Sequence, residues 1–288
     1  MLSKLQMRAL ETCCYIIGAG AFGVFIRWLQ NVAGTNDEQL YNDTLWSYLV
    51  PVIIIAAALV FVGMVRKLAK DRLYVDEDVC AALKNTGKIY QAIRIVIGVI
   101  MAGGSALLIA QCELDKAANL LRAVGILGFM TGVSFPFMMR WYNDPERKAG
   151  LMYLFSILPV IMFSVWLIAT YKQNDINGVV WQYGVEIIAV CAAICAFFRA
   201  AGFSFYSVRS SRILFSSFFG AFLLIVTLAD ERYLGQQAMI VGSACMLLYY
   251  DWVLIVNMKQ KDPPLSYQPR DGFDHLYTEA PGRSRNDG

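Results

Sequence analysis

The sequence predicts an all-α polytopic membrane protein, a bundle of about eight transmembrane helices. Three observations carry that prediction. Hydrophobic residues make up 58% of the chain and charged residues 16%, with a mean hydropathy of +0.50; soluble domains run near 45–50% apolar and about 25% charged. Eight apolar runs each approach the roughly 20 helical residues that a bilayer core about 30 Å thick requires. Lys and Arg concentrate in every second gap between the runs, the signature of cytoplasmic loops.

Taken in order, the first span covers residues 9–29 and follows Lys4 and Arg8. Its apolar run exceeds the roughly 7–15 residues of a cleavable signal core, so it is expected to be retained. Gly18, Gly20 and Gly23 lie within it, and the next gap, 30–43, has no Lys or Arg. Asn42-Asp43-Thr44 matches a glycosylation sequon but abuts the second span, where such a triplet carries little weight. That span, 44–65, is apolar on every side from 52 to 65, as a helix in lipid is and an alternating barrel strand is not.

Gap 66–88 holds Arg66, Lys67, Lys70, Arg72, Lys84 and Lys88. It reads as a solvated connector. The alternative is a short interfacial helix, with Asp76, Glu77 and Asp78 at its start, a weak apolar face of Leu73, Val79, Ala82 and Leu83, and Gly87 at its end. The third span, 89–111, contains Gly98, Gly103 and Gly104, and Lys116 follows alone. The fourth, 120–139, contains Gly125, Gly128, Gly132, Ser134 and Pro136; small residues at this spacing let helices approach closely. Arg140, Arg147 and Lys148 come next.

The fifth span, 150–171, is followed by Lys172 alone, and the sixth, 179–198, by Arg199, Arg209 and Arg212. The seventh, 213–229, is followed by Arg232 alone, and the eighth is 234–256. The alternation expects both termini in the cytoplasm and fits a plasma-membrane protein. Residues 1–256 form the transmembrane domain. Residues 257–288, with Pro263, Pro264, Pro269, Pro281 and several charges, read as a disordered cytoplasmic tail. A segment around Tyr267 or Tyr277 there is a candidate handle for a protein partner, with the 66–88 loop a second, beside the lipid bilayer itself. Pro51, Pro136 and Pro159 do not recur correspondingly in the two halves, so no internal repeat is read.

Candidate chemistry rests on ionisable groups inside spans, which cost about 2.5–3.5 kcal/mol each at a helix centre and usually face the bundle interior. Glu186 lies roughly 10 Å below the outer end of the sixth span. Arg27, near the outer end of the first, is a geometrically allowed partner, and Arg122 a second. Asp251, Glu11 and Arg94 share a depth near the cytoplasmic side, which permits a cluster. Such charges bind substrate or fix helix packing. Arg199, Arg209 and Arg212, with Phe203, Phe205, Tyr206 and neighbouring serines, would suit a lipid phosphate; an ordinary aromatic belt with basic anchors has the same composition.

The seven cysteines read as small apolar packing residues, Cys191 and Cys195 included, because the only histidine, His275, lies in the tail. No metal or cofactor motif is present, no histidine can serve an intramembrane dyad, and no catalytic residue is expected. The net charge of +3 is distributed by topology and does not indicate nucleic-acid binding. The reading favours a small-solute or lipid transporter, or a membrane subunit of one. A structural or regulatory membrane protein acting through partners is the alternative, and an intramembrane enzyme the third.

Overall fold

Each of the eight apolar runs forms a helix in the computed structural model, which describes residues 3–33, 45–71, 73–74, 79–114, 119–143, 149–173, 180–205 and 210–260. The helices are α1 (Lys4–Ala33), α2 (Leu45–Lys70), the four-residue α3 (Val79–Ala82), α4 (Lys88–Leu114), α5 (Asn119–Trp141), α6 (Ala149–Gln173), α7 (Val180–Ala201), α8 (Ser210–Val226) and α9 (Leu234–Val256). A 3-10 turn, Thr227–Ala229, extends α8. All but α3 are long and apolar enough to cross a membrane. With no water to satisfy backbone N–H and C=O groups in hydrocarbon, a helix is what such segments must form. The Asn42 sequon, Asp76-Glu77-Asp78 and everything after Gln260 lie outside the described residues.

α8 and α9 occupy the centre and α2 is the least buried of the eight. α9 packs on α4, α8 and α1; α5, α6, α7 and α8 follow one another around it, and α2 lies outside against α1 and α8. The tight contact between α4 and α5 depends on missing side chains. A Cβ on Gly98 would stand 2.7 Å from the Gly132 carbonyl oxygen, and one on Gly132 would stand 2.6 Å from the Ala102 backbone nitrogen. Gly104 admits α9 in the same way, with the Met239 backbone nitrogen 3.0 Å from where its Cβ would be. The close approach expected of these glycine-bearing spans is present, whereas Gly18 and Gly103 face open space.

The helices alternate in direction, as the charge pattern requires. α1, α6 and α8 finish at one end, where Arg27 and Thr170 meet the loop after α8 and the start of α7. α4 finishes there too, since Gln111 accepts from the Gly235 N–H at the start of α9 (3.1 Å). This end is called lysine-poor below. At the lysine-rich end, Leu73–Tyr74 (β1) pairs antiparallel with Lys259–Gln260 (β2). Asn257 donates to the carbonyls of Ala82 (3.1 Å) and Lys84 (2.7 Å), satisfying groups that the one-turn α3 leaves open. The described residues between α2 and α4 thus include one helical turn, α3, tied to the chain just beyond α9, while 66–70 continue α2.

Candidate functional site

Four ionised side chains form a continuous chain at the lysine-poor end. Arg27, from the last turns of α1, donates from Nε to Asp230 Oδ1 at 2.8 Å and from a terminal nitrogen to Gln30 Oε1 at 2.7 Å. Asp230 Oδ2 accepts from Arg232 at 3.1 Å, and Arg232 reaches Glu186 Oε1, also at 3.1 Å. The same Glu186 oxygen accepts from Trp166 Nε1 (3.1 Å) and Thr170 Oγ1 (3.0 Å) on α6. Among the described residues, two arginines and two acids make up the chain. The side chains are nearly out of solvent: Arg27 is 1% exposed, Arg232 6%, Asp230 13% and Glu186 14%. Charge-assisted bonds at these lengths offset the loss of hydration that burial imposes.

Glu186 therefore faces the bundle interior. Its direct ionic partner is Arg232 rather than Arg27 or Arg122; Arg122 instead turns to the Cys112 carbonyl at 3.5 Å. Arg27 and Glu186 do belong to one network, linked through Asp230 and Arg232. Sequence reasoning counted Arg232 as a lone loop cation and did not single out Asp230. The available signal was the brevity of the 230–233 connection, which holds any charge on it over the ends of neighbouring spans.

The inner charges do not cluster. The Arg94 guanidinium donates to Asn85 Oδ1 at 3.0 Å, not to Asp251 or Glu11. Asn85 also bonds Asn143, and its amide donates to the Met139 carbonyl at 3.3 Å, so Arg94 helps to lock the 79–85 segment onto the end of α5. Glu11 is exposed on the outer face of α1. Asp251 is fully buried in α9, and neither carboxylate oxygen has a hydrogen-bond partner. Equal depth does not bring these three together, because they point from their helices in different directions.

A narrow void of about 10 Å³, room for about one water molecule, lies in the lysine-rich half, between α5, α6, α7 and α9. Thr131, Ser134, Phe135, Met138, Phe155, Pro159, Phe197, Met246 and Tyr250 line it. Thr131 and Ser134 return their hydroxyls to their own helix carbonyls, at 2.8 and 3.0 Å. Pro159, inside α6, is one of the lining residues, whereas Pro136 of α5 packs toward Gly98 on α4. Among the proposed lipid contacts, Arg199 donates to the Arg212 carbonyl at 2.7 Å, Arg212 is exposed and Arg209 lies outside the described residues. Among the described residues, no group of three His, Cys, Asp or Glu side chains could hold a metal ion. Cys13, Cys14, Cys191, Cys195 and Cys245 are free thiols.

Eight spanning helices around a buried, internally paired charge network are not compatible with a water-exposed fold. The chain is an integral membrane protein. No family model, curated protein or solved structure matches it.

Proposed function

We propose that the protein moves a small solute or a lipid across the membrane, alone or as the membrane subunit of a transporter. The Arg27–Asp230–Arg232–Glu186 chain is the latch that closes its lysine-poor end. The observation that carries this reading is the reach of the network. It joins α1, the loop after α8, α7 and α6, a row of neighbouring helices, at their lysine-poor ends. The void in the other half supports it: one end is shut by ionic contacts while the space lies toward the opposite end. At about 10 Å³ the void has room for about one water molecule, so in this closed arrangement no solute is seated and a path opens only when the helices part. In this reading the lysine-rich end is cytoplasmic, as the positive-inside rule expects, and opening breaks the latch.

The test is reconstitution into proteoliposomes loaded with a water-soluble extract of cellular metabolites, with fluorescent phosphatidylcholine in the bilayer. Retained contents are measured by mass spectrometry and lipid exchange by dithionite quenching. At least one compound, or the lipid, should cross faster than in protein-free vesicles, with a changed rate in Glu186→Gln. Retention and exchange identical to protein-free vesicles would contradict transport and favour a protein that acts through partners.

A further inference from the structure

Asp251 is unlike every other acid described in the bundle. Asp71 pairs with Arg8, Asp230 with Arg27 and Arg232, and Glu186 with Arg232 and two neutral donors. Asp251 has none of this: it is 0% exposed, and both carboxylate oxygens lack a donor. The groups facing it are few. From α8 comes the Ser217 hydroxyl, which lies toward the carboxyl but points at the Leu247 carbonyl at 3.4 Å. From α1 comes the Cys13 thiol, which lies near the Leu248 carbonyl at 4.0 Å. Among the described residues, no cation faces Asp251. The α4 cation, Arg94, is committed to Asn85 and faces Tyr249 on another side of α9.

An ionised carboxylate without partners in such a place carries an effective penalty of several kcal/mol. No arginine or lysine offsets it, and too few oxygens surround it to replace the shell of a metal cation. A proton is the ligand that fits: it needs no added volume, it removes the charge, and the resulting O–H can be donated to the Ser217 oxygen. We propose that Asp251, with Ser217 and Cys13 beside it, is a proton-binding site in the centre of the bundle, loaded in this closed arrangement and exchanged with water when α1, α8 and α9 separate. Loading is the transfer of one proton from water to a carboxylate oxygen, and unloading is its return; no other bond changes. The site rests on the burial and isolation of Asp251 and does not depend on which solute, if any, is moved.

Infrared difference spectroscopy of the full-length protein in lipid nanodiscs tests this at neutral pH. A C=O stretch of a neutral carboxylic acid should be present in the parent, absent in Asp251→Asn, and shifted on transfer to D2O. Asn is a neutral isostere, so the variant should fold. Ser217→Ala gives a second handle, because loss of the facing hydroxyl should move the band without removing it. No acid band assignable to Asp251 in the parent would overturn the proposal by showing an ionised group. A band that never shifts in D2O would overturn it equally, since it would mark a permanently neutral core acid that exchanges no proton.

Discussion

Asp230→Asn is the sharpest perturbation of the latch. Asp230 is the central acid: one oxygen takes Arg27 at 2.8 Å and the other takes Arg232 at 3.1 Å. Asn removes the one negative charge that both arginines share. It also presents an N–H₂ donor to one of the guanidinium groups, which has no lone pair to receive it. Removing one partner of a buried pair costs about 3–5 kcal/mol, because the other charge is left buried. Arg27 keeps its bond to Gln30 at 2.7 Å and Arg232 keeps Glu186, so the lower figure, about 3 kcal/mol, applies. At roughly 2–4 °C per kcal/mol for a large chain, the melting temperature in mild detergent should fall by on the order of 10 °C. Intrinsic tryptophan fluorescence during heating measures it. Arg27→Met in the Asp230→Asn background removes the guanidinium that has lost its acid and should recover about 1 kcal/mol or more, within the coupling expected of contacting residues. An Asp230→Asn protein within about 0.5 kcal/mol of the parent, with no coupling to Arg27→Met, would refute the reasoning, since that is the effect of an ordinary surface change.

The same substitution at the other buried aspartate should act in the opposite direction: Asp251→Asn leaves the melting temperature unchanged or raises it, and a fall like that of Asp230→Asn would mean that Asp251 is ionised and paired. Gly132→Val should destabilise by about 1–3 kcal/mol in the same melting assay, because its side chain would meet the Ala102 nitrogen and the Gly98 carbonyl, backbone atoms that cannot turn aside. Gly103→Ala, facing open space in α4, should stabilise by roughly 0.5–1 kcal/mol through helix propensity alone. Single cysteines at Lys67 and Lys172, in a background with the native cysteines replaced, should be labelled by an impermeant maleimide from opposite faces of sealed vesicles; labelling of both from one face would break the alternating topology.

The spans and their packing were legible because they rest on composition and spacing. A run such as 52–65 has no other stable state in lipid, and glycines at 98, 104 and 132 announce close crossings whatever their partners. The capping box that starts α1, in which the Ser3 N–H meets Gln6 Oε1 at 2.9 Å and the Gln6 N–H meets Ser3 Oγ at 3.2 Å, was also readable from its Ser-x-x-Gln spacing but went unremarked. The charge network was only half legible. Counting residues from a span end gives the depth of Glu186 or Arg27 but not the direction in which each points around its helix; that is set by packing. Asp251, Arg94 and Glu11 share a level and diverge for this reason. The pairing of Leu73–Tyr74 with Lys259–Gln260 had no signal, because a two-residue backbone ladder between distant segments leaves no side-chain pattern.

Access to the void tests the central claim most directly. Ser134→Cys, in the background lacking native cysteines, places a thiol on the wall of the void, and a small charged thiosulfonate is added from the lysine-poor face. With the latch intact the account predicts slow labelling. Glu186→Gln should speed it, about tenfold for each 1.4 kcal/mol by which the latch is weakened. Equal labelling rates in the two proteins would contradict the claim that the Arg27–Asp230–Arg232–Glu186 chain holds that end shut.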